Sequence, residues 1–283
     1  MLSSYELGLL AQIGINLLLA LSVYVILSAG QLSLGNAGFM ALGAYTASVL
    51  TVKAGWPLTL ALLAGGALSG VVGLIAGLPA LRMSGIYLAM VTLGVGQMVS
   101  AFFLVFKYTG AERGFFGMSP VQTSTIWAWT LGLGLLTFLL ERTRIWLGVR
   151  AVNDDEFAAQ VVGLNTTVVK LGVFIYGAGL AGVAGGLYAH YNVYIEPHMF
   201  GFMESVVMVL YVVLGGSQTI WGPVLGTAVL TLLPEALRFM ADWRDGLYGA
   251  LLILMLVFRP YGIVTRDLFR GLRGGGLRGK EGS

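Results

Sequence analysis

Two sets of polar side chains interrupt an otherwise apolar chain, and they differ in the chemistry they offer. The first set is Gln31, Ser33 and Asn36 in the stretch QLSLGNAG, Thr92 and Gln97 in the apolar run 86–106, and Glu204 near the start of a later run. Amides and hydroxyls donate and accept hydrogen bonds without the desolvation cost of a full charge. They suit the wall of a path for a small zwitterionic solute. They suit equally a bond to a neighbouring helix or, at 31–38, a tight turn between two spans. Glu204 is ionisable, and such a group inside a span is a functional candidate, with snorkelling to the interface as the plainer reading.

The second set is the charged stretch Glu141–Lys170, ERTRIWLGVRAVNDDEFAAQVVGLNTTVVK, the longest charged interruption between strongly apolar segments. Its centre, 153–164, reads as one short amphipathic helix. Asn153 is suited to the N-cap, and Asp154, Asp155 and Glu156 follow where the helix dipole favours negative charge. Phe157, Val161 and Leu164 share a face at helical spacing. Ala158 and Ala159 keep part of the surface flat, and Gly163 is placed to end the helix in a left-handed cap. Such a helix between spans is a docking surface for a soluble partner.

No catalytic centre is expected. There is no HExxH, GxSxG or DxDxDG pattern and no cysteine, hence no disulfide, thiolate metal site or cysteine nucleophile. His190 and His198 stand without a cluster of other ligands, so no metal site is expected. Gly274–Lys280 has the glycine and lysine spacing of a phosphate-binding loop. The next residue is Glu281, where magnesium coordination needs Ser or Thr. The chain is therefore expected to need no cofactor and to hydrolyse no nucleotide itself.

These residues must be positioned by membrane spans. Hydrophobic residues make up 57% of the chain and charged residues 10%, against roughly 25% charged in soluble domains. This is the composition of an all-α integral membrane protein, a polytopic bundle of about 8–10 spans in contact with lipid. Apolar segments lie near 8–29, 39–50, 58–81, 86–106, 124–140, 171–191, 202–215, 223–240 and 245–259. The 42 glycines point to close helix approach, most densely in 66–77 and in the stripes Ala178-Gly182-Gly186 and Ala181-Gly185-Ala189. Arg142, Arg144, Arg150 and Lys170 place the 142–170 loop in the cytoplasm, and the basic tail places the C-terminus there too. The membrane domain is expected over 1–265, with a Gly-rich basic tail over 266–283. The net charge of +3 lies beside apolar segments, which argues for a membrane surface and against nucleic acid.

Four stretches carry a family resemblance: the loop DEFAAQVVGLN (155–165), QLSLGNAGFMALGAYTA (31–47), YLAMVTLGVGQMV (87–99) and VVLGGSQTIWGPVLGTAVLTLLPEALR (212–238). Together they resemble the permease subunits of branched-chain amino-acid ABC importers, in particular the member paired with a second, homologous permease. Gln97 stands where related sequences often carry Glu, and Phe157 takes the place of the loop motif's acid. The resemblance implies a bacterial-type cytoplasmic (inner) membrane and a heterodimer with the second permease. It also implies two cytoplasmic ABC ATPases that use ATP, and an extracytoplasmic substrate-binding protein. Ala158, Ala159 and Gly163 match the loop motif and would form the coupling helix, flanked by Asp155, Glu156, Phe157, Val161 and Leu164. Other readings are a permease of the same family for a small amide such as urea, a secondary transporter, and a channel. The nearly charge-free spans argue against ion coupling, and the capped loop argues against a passive channel.

Overall fold

The computed structural model describes residues 4–236. The tail at 266–283 and the expected span near 245–259 lie outside the described residues. Among these residues the chain is helical almost throughout. In order they are α1 (Ser4–Leu27), α2 (Asn36–Val52), α3 (Leu58–Ala80), α4 (Ile86–Val105), α5 (Thr123–Glu141), α6 (Arg144–Asp154), α7 (Glu156–Val161), α8 (Thr166–Asn192), α9 (Phe202–Gly215) and α10 (Trp221–Ala236). Five of them, α1, α3, α4, α5 and α8, are long and apolar enough to cross a membrane. The two short strands β1 (Phe115–Phe116) and β2 (Tyr194–Ile195) pair antiparallel and join the 106–122 loop to the 193–201 loop.

One unit ends at Val209 and a second begins at Leu210. In the first, α8 is central and packs on α1, α2 and α3. Its glycine and alanine stripes make this possible. A Cβ on Gly43 of α2 would collide with the Gly182 backbone, and one on Gly185 with the Met40 backbone. The helices therefore meet backbone to backbone, where van der Waals packing replaces the hydrophobic drive that lipid cannot supply. Phe39 closes this layer edge-on against Phe174, ring centroids 5.7 Å apart. Ser69 Oγ donates to the Phe39 carbonyl at 2.9 Å.

The helices on the outside differ in what they show. The outer faces of α3 (Leu63, Val71, Ile75) and α5 (Leu131, Leu135, Leu139) are aliphatic, as a lipid contact requires. The exposed face of α4 is apolar at Ile86, Met90, Met98, Phe102 and Val105 but carries the Tyr87 ring and, near mid-helix, the Gln97 amide.

Two of the non-helical links are followed by short helices. The first joins α1 to α2, so that α2 has only 17 residues, about 25 Å at 1.5 Å per residue. The second, 193–201, leads into α9, which has 14 residues, about 21 Å and short of an upright crossing of a roughly 30 Å hydrocarbon layer. The α1–α2 link is largely buried, and the 193–201 link is buried at Ile195, Pro197 and Phe200. Ser100 Oγ of α4 donates to the Pro197 carbonyl at 2.9 Å. The Ala37 N–H at the start of α2 donates to Ser205 Oγ of α9 at 3.1 Å. In the second unit, a Cβ on Gly215 would collide with the Gly222 backbone, so α9 and α10 also meet at glycines.

Candidate functional site

The α1–α2 link gathers four of the polar residues singled out in the sequence. Ser33 Oγ donates to Asn36 Oδ1 at 2.9 Å, and Asn36 Nδ2 donates to Ser22 Oγ at 3.0 Å. The Leu34 N–H donates to Thr92 Oγ1 of α4 at 3.1 Å, and Thr92 Oγ1 donates to the Ala89 carbonyl at 3.0 Å. Ser33, Asn36 and Thr92 are buried. Their hydrogen-bonding capacity goes largely into holding α1, α2 and α4 together, which a buried polar backbone segment requires. Gln31 sits beside this knot and behaves differently. It is 2% exposed, and neither its amide nitrogen nor its amide oxygen finds a partner among the described residues. An unmet buried polar group costs about 1–3 kcal/mol.

Gln97 is not part of this cluster. It lies exposed near the middle of α4. Glu204 lies in the first turn of α9, one residue before Ser205, which accepts from the Ala37 N–H beside Asn36. The sequence-predicted pathway residues thus divide into a bonded knot (Ser33, Asn36, Thr92), a buried unmet amide (Gln31), an outward-facing amide (Gln97) and a helix-start acid (Glu204).

The charged stretch folds as two helices, where the sequence suggested one over 153–164. Asn153 does not cap the docking helix. It belongs to the last turn of α6, and the break falls at Asp155, whose backbone is extended (φ −155°, ψ 107°). Asp155 is the N-cap of α7: its Oδ1 accepts from the Ala158 N–H at 3.0 Å. The cause lies in α6. Trp146, Val149 and Val152 bury one face of that helix, which extends it through Asn153 before the chain can turn. Asn153, Asp154 and Asp155 are all suited to the N-cap, and packing selects the last.

The far end of α7 follows the sequence reading. Gly163 has φ +86°. Its N–H donates to the Gln160 carbonyl at 2.9 Å, and the Leu164 N–H donates to the Ala159 carbonyl at 3.0 Å, the paired bonds of a Schellman motif. Asn165 then caps α8 by accepting from the Val168 N–H at 3.1 Å. Lys170 of α8 pairs with Glu156 at 2.6 Å, and Gln160 Nε2 donates to Thr166 Oγ1 at 3.1 Å. Six residues, about 9 Å of helix, are fixed at both ends and tied to the spans. Phe157, Val161 and Val162 are 76%, 72% and 75% exposed. Ala158 is exposed with them, whereas Ala159 is buried against the chain's own core and Leu164 is half-buried. Val162 was missed in the sequence because it sits one step off the Phe157–Val161 spacing; the cap turns it outward.

Among the described residues no group of three or more His, Asp or Glu could hold a metal ion. His190 is instead buried, its Nδ1 2.8 Å from the Gly186 carbonyl and its Nε2 2.9 Å from Thr51 Oγ1. That bonding joins α8 to α2.

A family model described as branched-chain amino acid transport system / permease component matches residues 6–256. The high-affinity branched-chain amino acid transport system permease protein LivM of Salmonella typhimurium is 31% identical over 98% of this chain and 74% of its own length. LivH of the same organism, named as a permease of the same kind of system, is 32% identical over 56% of this chain and 52% of its own. The autoinducer 2 import system permease protein LsrC of Salmonella paratyphi B is 31% identical over 48% of this chain and 42% of its own. No solved structure matches the chain.

Proposed function

Since the chain belongs to the branched-chain amino acid transport permease family, we propose that it is one of two homologous membrane subunits of an ATP-driven importer for branched-chain amino acids. α7 is the coupling helix in this reading. The observation that carries it is a doubly capped helix that turns Phe157, Val161 and Val162 to solvent between α5 and α8. Apolar side chains held out on a short rigid helix gain nothing inside this chain. They gain burial in a groove of a soluble partner, here an ATPase. The chain performs no chemistry itself: ATP is hydrolysed by two cytoplasmic partner chains, and an extracytoplasmic binding protein delivers the solute. The 142–165 loop and the C-terminus face the cytoplasm, following Arg142, Arg144 and Arg150.

The second permease covers the exposed face of α4. Exposed aliphatic faces on α3 and α5 can meet lipid, but the Gln97 amide near mid-span loses its hydrogen bonds there. Facing the other permease across a hydrated path, it keeps them, and α4 becomes the wall past which a zwitterion moves.

The test is purification of the tagged chain from its native membrane and reconstitution with the chains that come with it. A second hydrophobic chain, nucleotide-binding chains and ATP-dependent uptake of leucine, isoleucine or valine are expected. A homo-oligomer that moves these solutes without ATP would overturn the reading.

A further inference from the structure

The charged stretch is divided by sign. Between Glu141 and Asp154 the only charges are Arg142, Arg144 and Arg150, and the acids Asp154, Asp155 and Glu156 follow together. None of the three arginines meets a carboxylate among the described residues, where the one ion pair is Lys170 with Glu156. The other acids nearby are engaged or distant. Glu141 accepts from the buried Tyr24 hydroxyl, and Asp155 caps α7. Asp154 stands at the far end of α6 from Arg144, about 15 Å away.

α6 has two faces. Trp146, Val149 and Val152 are buried in the protein. Arg144, Leu147, Gly148 and Ala151 fall on the opposite side at helical spacing, with Arg150 at its edge. Leu147 is 62% exposed there, and Ile145 in the first turn is 72% exposed. An apolar strip flanked by arginines is the pattern of a helix lying at a membrane surface. The preceding span sets the height. α5 has 19 residues, about 28 Å, close to the roughly 30 Å of a hydrocarbon core. Of the five long apolar helices it is the least enclosed by the chain, and its last turn still exposes Leu139. α6 starts at Arg144, just after Glu141 ends α5, so Arg142 and Arg144 stand at headgroup level. Arg142 leans back along the span, its guanidinium 4.4 Å from the Phe138 ring centroid.

We infer that α6 is a docking surface for anionic phospholipid in the leaflet on the side of α7. The arginines meet the phosphates, and Ile145 and Leu147 enter the acyl boundary between them. The acids that follow are repelled by the same surface, so the basic half of the loop lies on lipid and the acidic half stands off it. Lipid that holds α6 also holds the break at Asp155, and with it the height of α7 above the bilayer. The inference needs only a membrane-embedded chain and does not depend on the solute or on ATP.

The chain contains no cysteine, so Leu147→Cys carries a single nitroxide. This chain, with the chains that accompany it, is placed in nanodiscs of phosphatidylcholine with increasing phosphatidylglycerol. Electron paramagnetic resonance compares collisions of the label with oxygen, which partitions into lipid, and with a water-soluble nickel complex. The oxygen-to-nickel ratio should rise with phosphatidylglycerol, and salt at about 1 M should reverse the rise. Each arginine lost should raise the phosphatidylglycerol needed for half the effect about fivefold, the worth of one basic side chain at an anionic surface. Arg144→Gln with Arg150→Gln should therefore abolish the rise. Arg144→Lys with Arg150→Lys should keep it, because the charge remains. Arg144 is exposed, so Arg144→Gln alone decides the matter if the double variant fails to assemble. A label that meets nickel freely in every lipid would overturn the inference. So would a label shielded from both reagents, which would put a protein partner on α6, or one that meets oxygen equally with and without phosphatidylglycerol.

Discussion

Replacing Gly163 by valine isolates the coupling helix from the rest of the fold. Gly163 holds φ +86°, and no atom lies within 4 Å of where its Cβ would stand, so the substitution meets no steric obstacle. Its cost is conformational: an L-residue in the left-handed region loses roughly 1–2 kcal/mol, and a β-branched one is the worst case. Leaving that conformation breaks both bonds of the Schellman motif. A six-residue helix cannot sustain itself without its caps. At about 1.4 kcal/mol per factor of ten, the ratio of formed to melted α7 falls about tenfold. Uptake should then drop between about twofold and fivefold, according to whether α7 starts formed about ten to one or near its midpoint. The assay is ATP-dependent leucine uptake by reconstituted importer, alongside the unfolding temperature of the detergent-solubilised complex, which should not move. Gly163→Asn supplies the contrast, because asparagine tolerates this conformation; it should retain most of the activity. Full uptake in the valine variant, or equal damage from asparagine and valine, would refute the argument.

Other consequences follow from the same contacts. Asp155→Ala should remove about 1 kcal/mol of cap and impair uptake, whereas Asp155→Asn should be tolerated, since asparagine caps as well; equal effects of the two would return the cap to another residue. Gly43→Ala should prevent recovery of folded chain from the membrane, because its Cβ meets the Gly182 backbone, while Gly94→Ala, with open space around it, should leave the unfolding temperature unchanged. Asn36→Ala strips partners from Ser33 and Ser22 and should destabilise by about 1–3 kcal/mol, read as a lower unfolding temperature. Gln97→Leu should leave stability unaltered and slow uptake; unaltered uptake would remove α4 from the path.

What was legible in the sequence and what was not divide on physical lines. Four of the five spans expected before the charged stretch, the glycine stripes of the α8 span and the left-handed end at Gly163 are local properties, written in composition, spacing and residue type. The start of the docking helix was not local. Asn153, Asp154 and Asp155 are all good caps, and the choice fell to the burial of Trp146, Val149 and Val152 in a helix that the charged composition of the loop concealed. The polar residues were found by type, but their roles depend on partners distant in sequence. Thr92 bonds to Leu34 across 58 positions, and Gln31 finds no partner among the described residues. Periodicity marked Phe157, Val161 and Leu164 as one face; the first two are exposed and Leu164 is half-buried, and periodicity could not tell that Ala159 turns inward while Ala158 does not.

The claim that α7 docks on an ATPase can be read directly, because the chain contains no cysteine and a single introduced thiol is unique within it. Phe157→Cys, carrying a photo-crosslinker in the assembled importer, should join this chain to a nucleotide-binding chain, and Ile75→Cys on the aliphatic face of α3 should not. Crosslinking from position 157 only to lipid, to the second permease or to nothing would contradict the account.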